Sequence, residues 1–245
     1  MNKSIRAVLF DLDDTLLENN MDRFVKEYFD LLTPHMAHMV PPDKFMSALL
    51  NATFAMIGNV DPAVTNQEAF IADFFPRIGW KAEEMMPLFD AFYAGPYEKL
   101  RSLTRPNPSA RSAVQTACDA GCDMVIATNP IFPETAIRQR MEWAGVSDFS
   151  FKLITSYEVM HSAKPNPRYY KEILEHIGRS PEECIMVGND WDNDIMPAMK
   201  AGLHVFWVNT ATESMNAIAP SARGTLTEFR DRFLRLPGRG SVSCT

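Results

Sequence analysis

Residues 5–16, IRAVLFDLDDTL, constrain the fold more than any other stretch. An apolar run (Ile5, Ala7, Val8, Leu9, Phe10) stops at three carboxylates, Asp11, Asp13 and Asp14, followed by Thr15. A run this short, with β-branched and aromatic residues, predicts a strand buried on both faces. Such strands belong to parallel sheets covered by helices on each side, which narrows the fold class to α/β. Side chains two apart on a strand share a face, so Asp11 and Asp13 leave the strand end together. Two like charges that close need either a proton or an intervening cation. Strand-end Asp residues also serve as turn or helix-cap residues, and this stretch alone leaves that reading open. A calcium loop is excluded, because its sixth position requires Gly and here holds Leu16.

Beyond Leu16 the period changes. Four helices are predicted over 21–40, 42–58, 66–79 and 81–95, broken at Pro41-Pro42, Asp61-Pro62, Gly79 and Gly95-Pro96. Their Phe and Met residues read as core packing. From about Lys99 strands and helices alternate: helices over 108–121, 133–145, 168–178 and 192–202, and strands over 122–129, 151–156, 183–190 and 204–210. A last short helix is expected over 226–236. This pattern predicts a parallel sheet covered on both faces, residues 1–17 plus 98–236, with a helical insert over 18–97 and a loose tail over 237–245.

The net charge of −7 argues against non-specific nucleic-acid binding and offers no basic membrane patch, so an anionic substrate must be held by local cations. No apolar run is long enough to span a membrane and no leader segment is recognisable, so a cytoplasmic location is expected. The four Cys lack metal-like spacing and read as free thiols.

Ligands of open parallel sheets bind beyond the carboxyl ends of the strands. Polar residues gather at those ends: Asp11 and Asp13, then Thr128 and Asn129, then Asn189, Asp190 and Asp194, with Lys164 in an intervening loop. Capping explains any one of these clusters but not their convergence on one edge.

In this order the residues resemble the haloacid dehalogenase-like (HAD) hydrolase superfamily. Asp11-Leu12-Asp13-Asp14-Thr15 matches its first motif, Thr128 its second, Lys164-Pro165 its third, and Gly188-Asn189-Asp190 through Asp194 its acidic fourth. The helical insert resembles the α-helical cap of the phosphoglycolate phosphatase-like branch, which implies an α/β core with a Rossmann-like parallel sheet and the insert over 18–97 as its cap domain. The resemblance implies a Mg2+-dependent phosphohydrolase acting on a small phosphorylated metabolite through an aspartyl-phosphate intermediate. It implies Asp11 as nucleophile and Asp13 as general acid and base. Thr128, Asn129 and Lys164 would bind the phosphoryl oxygens, and Mg2+ would be held by Asp11, the Asp13 carbonyl and Asp190. Asp194 would orient the metal or Lys164, with Asn189 as the alternative ligand, because this fourth motif carries Asn where the commonest form has Asp. Asp13 itself favours phosphoryl chemistry over dehalogenation, since halide leaves without a proton. A phosphomutase and a non-catalytic interaction protein are the competing readings. Neither the substrate nor the oligomeric state is legible at this level.

Overall fold

The computed structural model describes residues 4–209 and 222–235. Strand β1 (Ala7–Phe10) is fully buried. Its side chains divide between two cores: Val8 and Phe10 face one, Ala7 and Leu9 the other. This period-two division, with both faces apolar, is why the run reads as continuous hydrophobicity rather than alternation.

β1 is central in a six-stranded sheet. It pairs in parallel with β4 (Asp123–Ile126) and β6 (Cys184–Gly188). β5 (Leu153–Ile154) lies beyond β4, and β7 (His204–Val208) and β8 (Arg223–Gly224) lie beyond β6, giving the order β5-β4-β1-β6-β7-β8. Every pairing in this sheet is parallel. The helices flanking it are α5 (Ala110–Asp119), α6 (Glu134–Trp143), α7 (Pro167–Ile177), the short α8 (Met196–Lys200) and α9 (Leu226–Leu234).

The helical insert forms as expected, with α1 (Met21–Met36), α2 (Pro42–Ile57), α3 (Asn66–Ile78) and α4 (Ala82–Ala94). Thr65 and Glu68 form a capping box at the start of α3. Phe45, Phe74 and Phe89 meet edge-to-face or stacked at ring centroids 5.8–6.2 Å apart and belong to the same apolar cluster as Val8 and Phe10 of β1. The chain enters and leaves this cap through an antiparallel ribbon of β2 (Leu17–Asn19) and β3 (Thr104–Pro106). Neither strand was predicted, and both are only three residues long. Residues 96–103 form a 3-10 helix before β3. The expected tail over 237–245 lies outside the described residues. Cys122 and Cys184 are free thiols, whereas Cys118 is disulfide-bonded and not free as its sequence context suggested.

Candidate active site

The carboxyl ends of β1, β4 and β6 bring the polar clusters together, with the Lys164 loop closing over them. At the end of β1 the backbone turns sharply. Asp14 adopts φ 58°, its carboxylate accepts from the Asn19 N–H at 2.8 Å, and its own N–H donates to the Leu17 carbonyl. Asp14 is therefore a turn residue, tolerated in the left-handed region as Asp often is.

This turn directs Asp11 and Asp13 to different partners. The Asp11 carboxylate is buried, and its Oδ1 accepts from Lys164 Nζ at 2.8 Å. Lys164 Nζ also donates to Asp194 Oδ1 at 2.5 Å, so one buried ammonium serves two carboxylates. Burial opposes the Lys164 charge, but Asp11 and Asp194 outweigh it and hold its pKa well above the usual value. With both carboxylates ionised the trio would carry one uncompensated negative charge. Burial, and then Asp194, push Asp11 up to about 7 despite Lys164. Burial raises Asp194 as well.

Asp13 has its own cation. Arg140 Nη1 donates to its Oδ2 at 2.5 Å, and Asn19 Nδ2 donates to its Oδ1 at 2.9 Å. Arg140 is 1% exposed and its guanidinium lies 4.8 Å from the centre of the Phe132 ring. Its Nε and Nη2 are buried without hydrogen-bond partners. Neither Arg140 nor Asn19 was anticipated. Arg140 had a signal: it shares the α6 face of Ile137 and Met141, both buried, and an Arg in an apolar stripe needs a partner. Asn19 had none, because its role depends on the turn at Asp14.

Thr128 is buried, and its carbonyl accepts from Tyr169 and Thr155, each at 2.8 Å. These two bonds anchor the end of β4. Asn129 follows with its Oδ1 buried and unpartnered.

The loop after β6 separates the two candidate ligands of the fourth motif. Asp190 caps the following turn: Oδ1 accepts from the N–H groups of Asp192 and Asn193, and Oδ2 accepts from Asn193 Nδ2. Burial opposes its charge, yet these donors together hold its pKa below the usual range. Asn189 is the residue that turns toward Asp11. The Thr15 hydroxyl lies 3.1 Å from both Asp11 Oδ2 and Asn189 Oδ1. One hydroxyl has one proton, so two acceptor oxygens converge on a single donor. That donor set, a carboxylate and an amide oxygen, fits a hard cation such as Mg2+. Among the described residues no group of three or more His, Cys, Asp or Glu is arranged to hold a metal. Asp194 lies deeper, with Oδ2 accepting from the Asp190 N–H at 3.1 Å.

Three polar or aromatic residues that lie near these motifs in sequence are surface or packing residues. Arg23 is exposed, His161 pairs with Glu172 at 2.8 Å, and Trp191 packs on Trp207.

Comparison with known proteins gives a consistent assignment. A family model described as haloacid dehalogenase-like hydrolase matches residues 5–202. The chain is 32% identical over 211 residues to a glyceraldehyde 3-phosphate phosphatase of Methanothermobacter thermautotrophicus, covering 84% of this chain and 86% of that protein. It is 27% identical over 205 residues to a phosphoglycolate phosphatase of Vibrio cholerae, covering 83% and 84% respectively. The crystal structure of a HAD phosphatase from Thermococcus onnurineus superposes with a TM-score of 0.59 at 20% identity, covering 97% of this chain and all of that one, and so shares the fold. The chain is a member of the haloacid dehalogenase-like hydrolases.

Proposed function

We propose that the protein is a Mg2+-dependent phosphohydrolase that removes the phosphoryl group of a small phosphorylated metabolite through an aspartyl-phosphate on Asp11. The observation that carries this reading is the division of labour between two adjacent carboxylates, Asp11 held by Lys164 and Asp13 by Arg140 and Asn19. Residues 1–17 with 98–236 would form the catalytic core and 18–97 the cap.

In this scheme an Asp11 oxygen attacks phosphorus, a new P–O bond forms and the ester P–O bond breaks. Asp13 protonates the departing oxygen, then takes a proton from the water that cleaves the acyl phosphate. Asn19 and Arg140 fix the side-chain direction of Asp13 for both transfers. Lys164 and Thr128 stabilise charge on the phosphoryl oxygens, with Asn129 beside them. Asp194 keeps Lys164 in place. Asp11, the Asp13 carbonyl and Asn189 would hold the cation. Asp190, committed to its cap, supports that loop. When bound, Mg2+ screens the approach of a carboxylate to an anionic phosphoryl group.

The test is phosphate release from para-nitrophenyl phosphate and from an alkyl phosphate. Asp11→Asn is expected to lose both activities. Asp13→Ala is expected to keep a residue of the first, whose leaving group departs without a proton, and lose the second. Undiminished turnover by Asp11→Asn would sink the reading.

A further inference from the structure

A cavity of about 200 Å³ lies between the cap and the core. Val25 of α1, Leu49 and Met56 of α2, Phe70 of α3 and Phe89 of α4 form its cap side, and Phe132 closes it from the core. None of the described residues lining it carries a charged side chain. Its few hydroxyls are already engaged within the protein. Those of Tyr28 and Tyr93 bond to each other at 2.9 Å, that of Thr53 donates to the Leu49 carbonyl at 2.8 Å, and that of Tyr157 is bonded to the Gln67 side chain. An anionic group entering here would give up water and meet no cation, with at most the one phenol proton that the Tyr28–Tyr93 bond leaves over.

The cavity reaches Asp13 along two chains of contact. Phe132 lies under the Arg140 guanidinium, which holds Asp13 Oδ2. Met21, also on the wall, has its sulfur 3.4 Å from Asn19 Nδ2, which holds Asp13 Oδ1. The apolar surface also continues outward. Leu50, on the wall, is 42% exposed, and Phe54, one turn on along α2, is 69% exposed. The space thus lies one side chain removed from the proposed acid, with Arg140 and Asn19 in between, and opens toward solvent.

Resting on the phosphohydrolase reading, we infer that this cavity receives the leaving group of the substrate, and that the substrate is the monophosphate of a hydrocarbon alcohol. An apolar cavity of about 150 Å³ accepts benzene, so the present volume accommodates about eight carbon atoms. Leaving groups such as glycolate or a second phosphate carry charges that this wall does not answer. The specificity would therefore differ from that named for the two phosphatase relatives, with the difference located in the cap.

The test measures a series of n-alkyl phosphates from ethyl to decyl in two ways: dissociation constants by calorimetry with Asp11→Asn, and kcat/KM with the wild-type enzyme and Mg2+. Each buried methylene is expected to tighten binding and raise kcat/KM about fourfold, levelling off near eight carbons. Thr53→Trp, which places a large ring in the cavity, is expected to flatten the series. A flat series in the wild-type protein, or phosphoglycolate binding as tightly as octyl phosphate, overturns the inference. A stepped binding series without hydrolysis of any ester would instead overturn the phosphohydrolase reading and leave the cavity assignment standing.

Discussion

Asp11 and Asp13 emerge two residues apart and the structure gives each a separate positive charge, which resolves the repulsion that the strand end poses. Lys164 was legible because Lys before Pro in that loop belongs to a recognisable motif; Arg140 belongs to none, and its one sequence signal was its place in the apolar stripe of α6. Arg140→Met should leave Asp13 held by Asn19 alone. Turnover of alkyl phosphates, which need a proton delivered, should then fall by about 100-fold, and para-nitrophenyl phosphate much less. Equal losses on both substrates would mean that Arg140 merely supports the fold. A second residue-scale prediction concerns pH. Burial lifts Asp11 from 3.8 to about 7 in the metal-free protein. Between those values the folded chain binds a proton that the unfolded chain does not, so this group's contribution to stability falls as pH rises through that window. A cation must displace the proton. Mg2+ affinity, followed by the shift it causes in Tm, should therefore weaken about tenfold per pH unit below 7 and level off above it. An affinity unchanged between pH 5 and 7 would mean that Asp11 is not a ligand.

The element that shapes the site most is the loop leaving β6. Gly188 ends the strand where a Cβ would collide with the Asp194 carboxylate, so the backbone and that buried acid occupy adjoining space. Gly188→Ala should displace Asp194, loosen its hold on Lys164 and lower stability by about 1–3 kcal/mol in urea unfolding, with a larger loss of activity. Unaltered activity and stability would show that the contact relaxes freely. The sequence made this loop visible as an acidic cluster but not the division of tasks within it. Asp190 and Asn189 are adjacent and equally polar; which one turns inward depends on the Asp190 side chain capping Asp192 and Asn193, a three-dimensional choice. The strands buried on both faces, β1, β4 and β6, were legible because their apolar runs are distinctive. β2, β3 and β8 were not, because two or three residues carry no period.

At the scale of the whole molecule, a net charge of −7 surrounds a site that must attract phosphate, and the local cations Lys164 and Arg140 are both spent on carboxylates. An incoming phosphoryl group would therefore compete with Asp11 for Lys164, and a divalent cation held by Asp11 would relieve that competition. Among the described residues the cap contributes apolar surface and no charged side chain to the cavity, so recognition of the leaving group and reaction at phosphorus would fall to different layers. The presence of the cap was plain from its helical periodicity. Its selectivity was not, because a Phe or Met that lines a cavity has the same sequence signature as one that fills a core. The central claim is that Asp11 carries the phosphoryl group, and the most direct measurement is an acid quench during turnover followed by peptide mapping. A phosphoryl adduct on the peptide bearing Asp11, forming before free phosphate and absent in Asp11→Asn, is the predicted result. Turnover with no adduct on Asp11, sustained in Asp11→Asn, would contradict it.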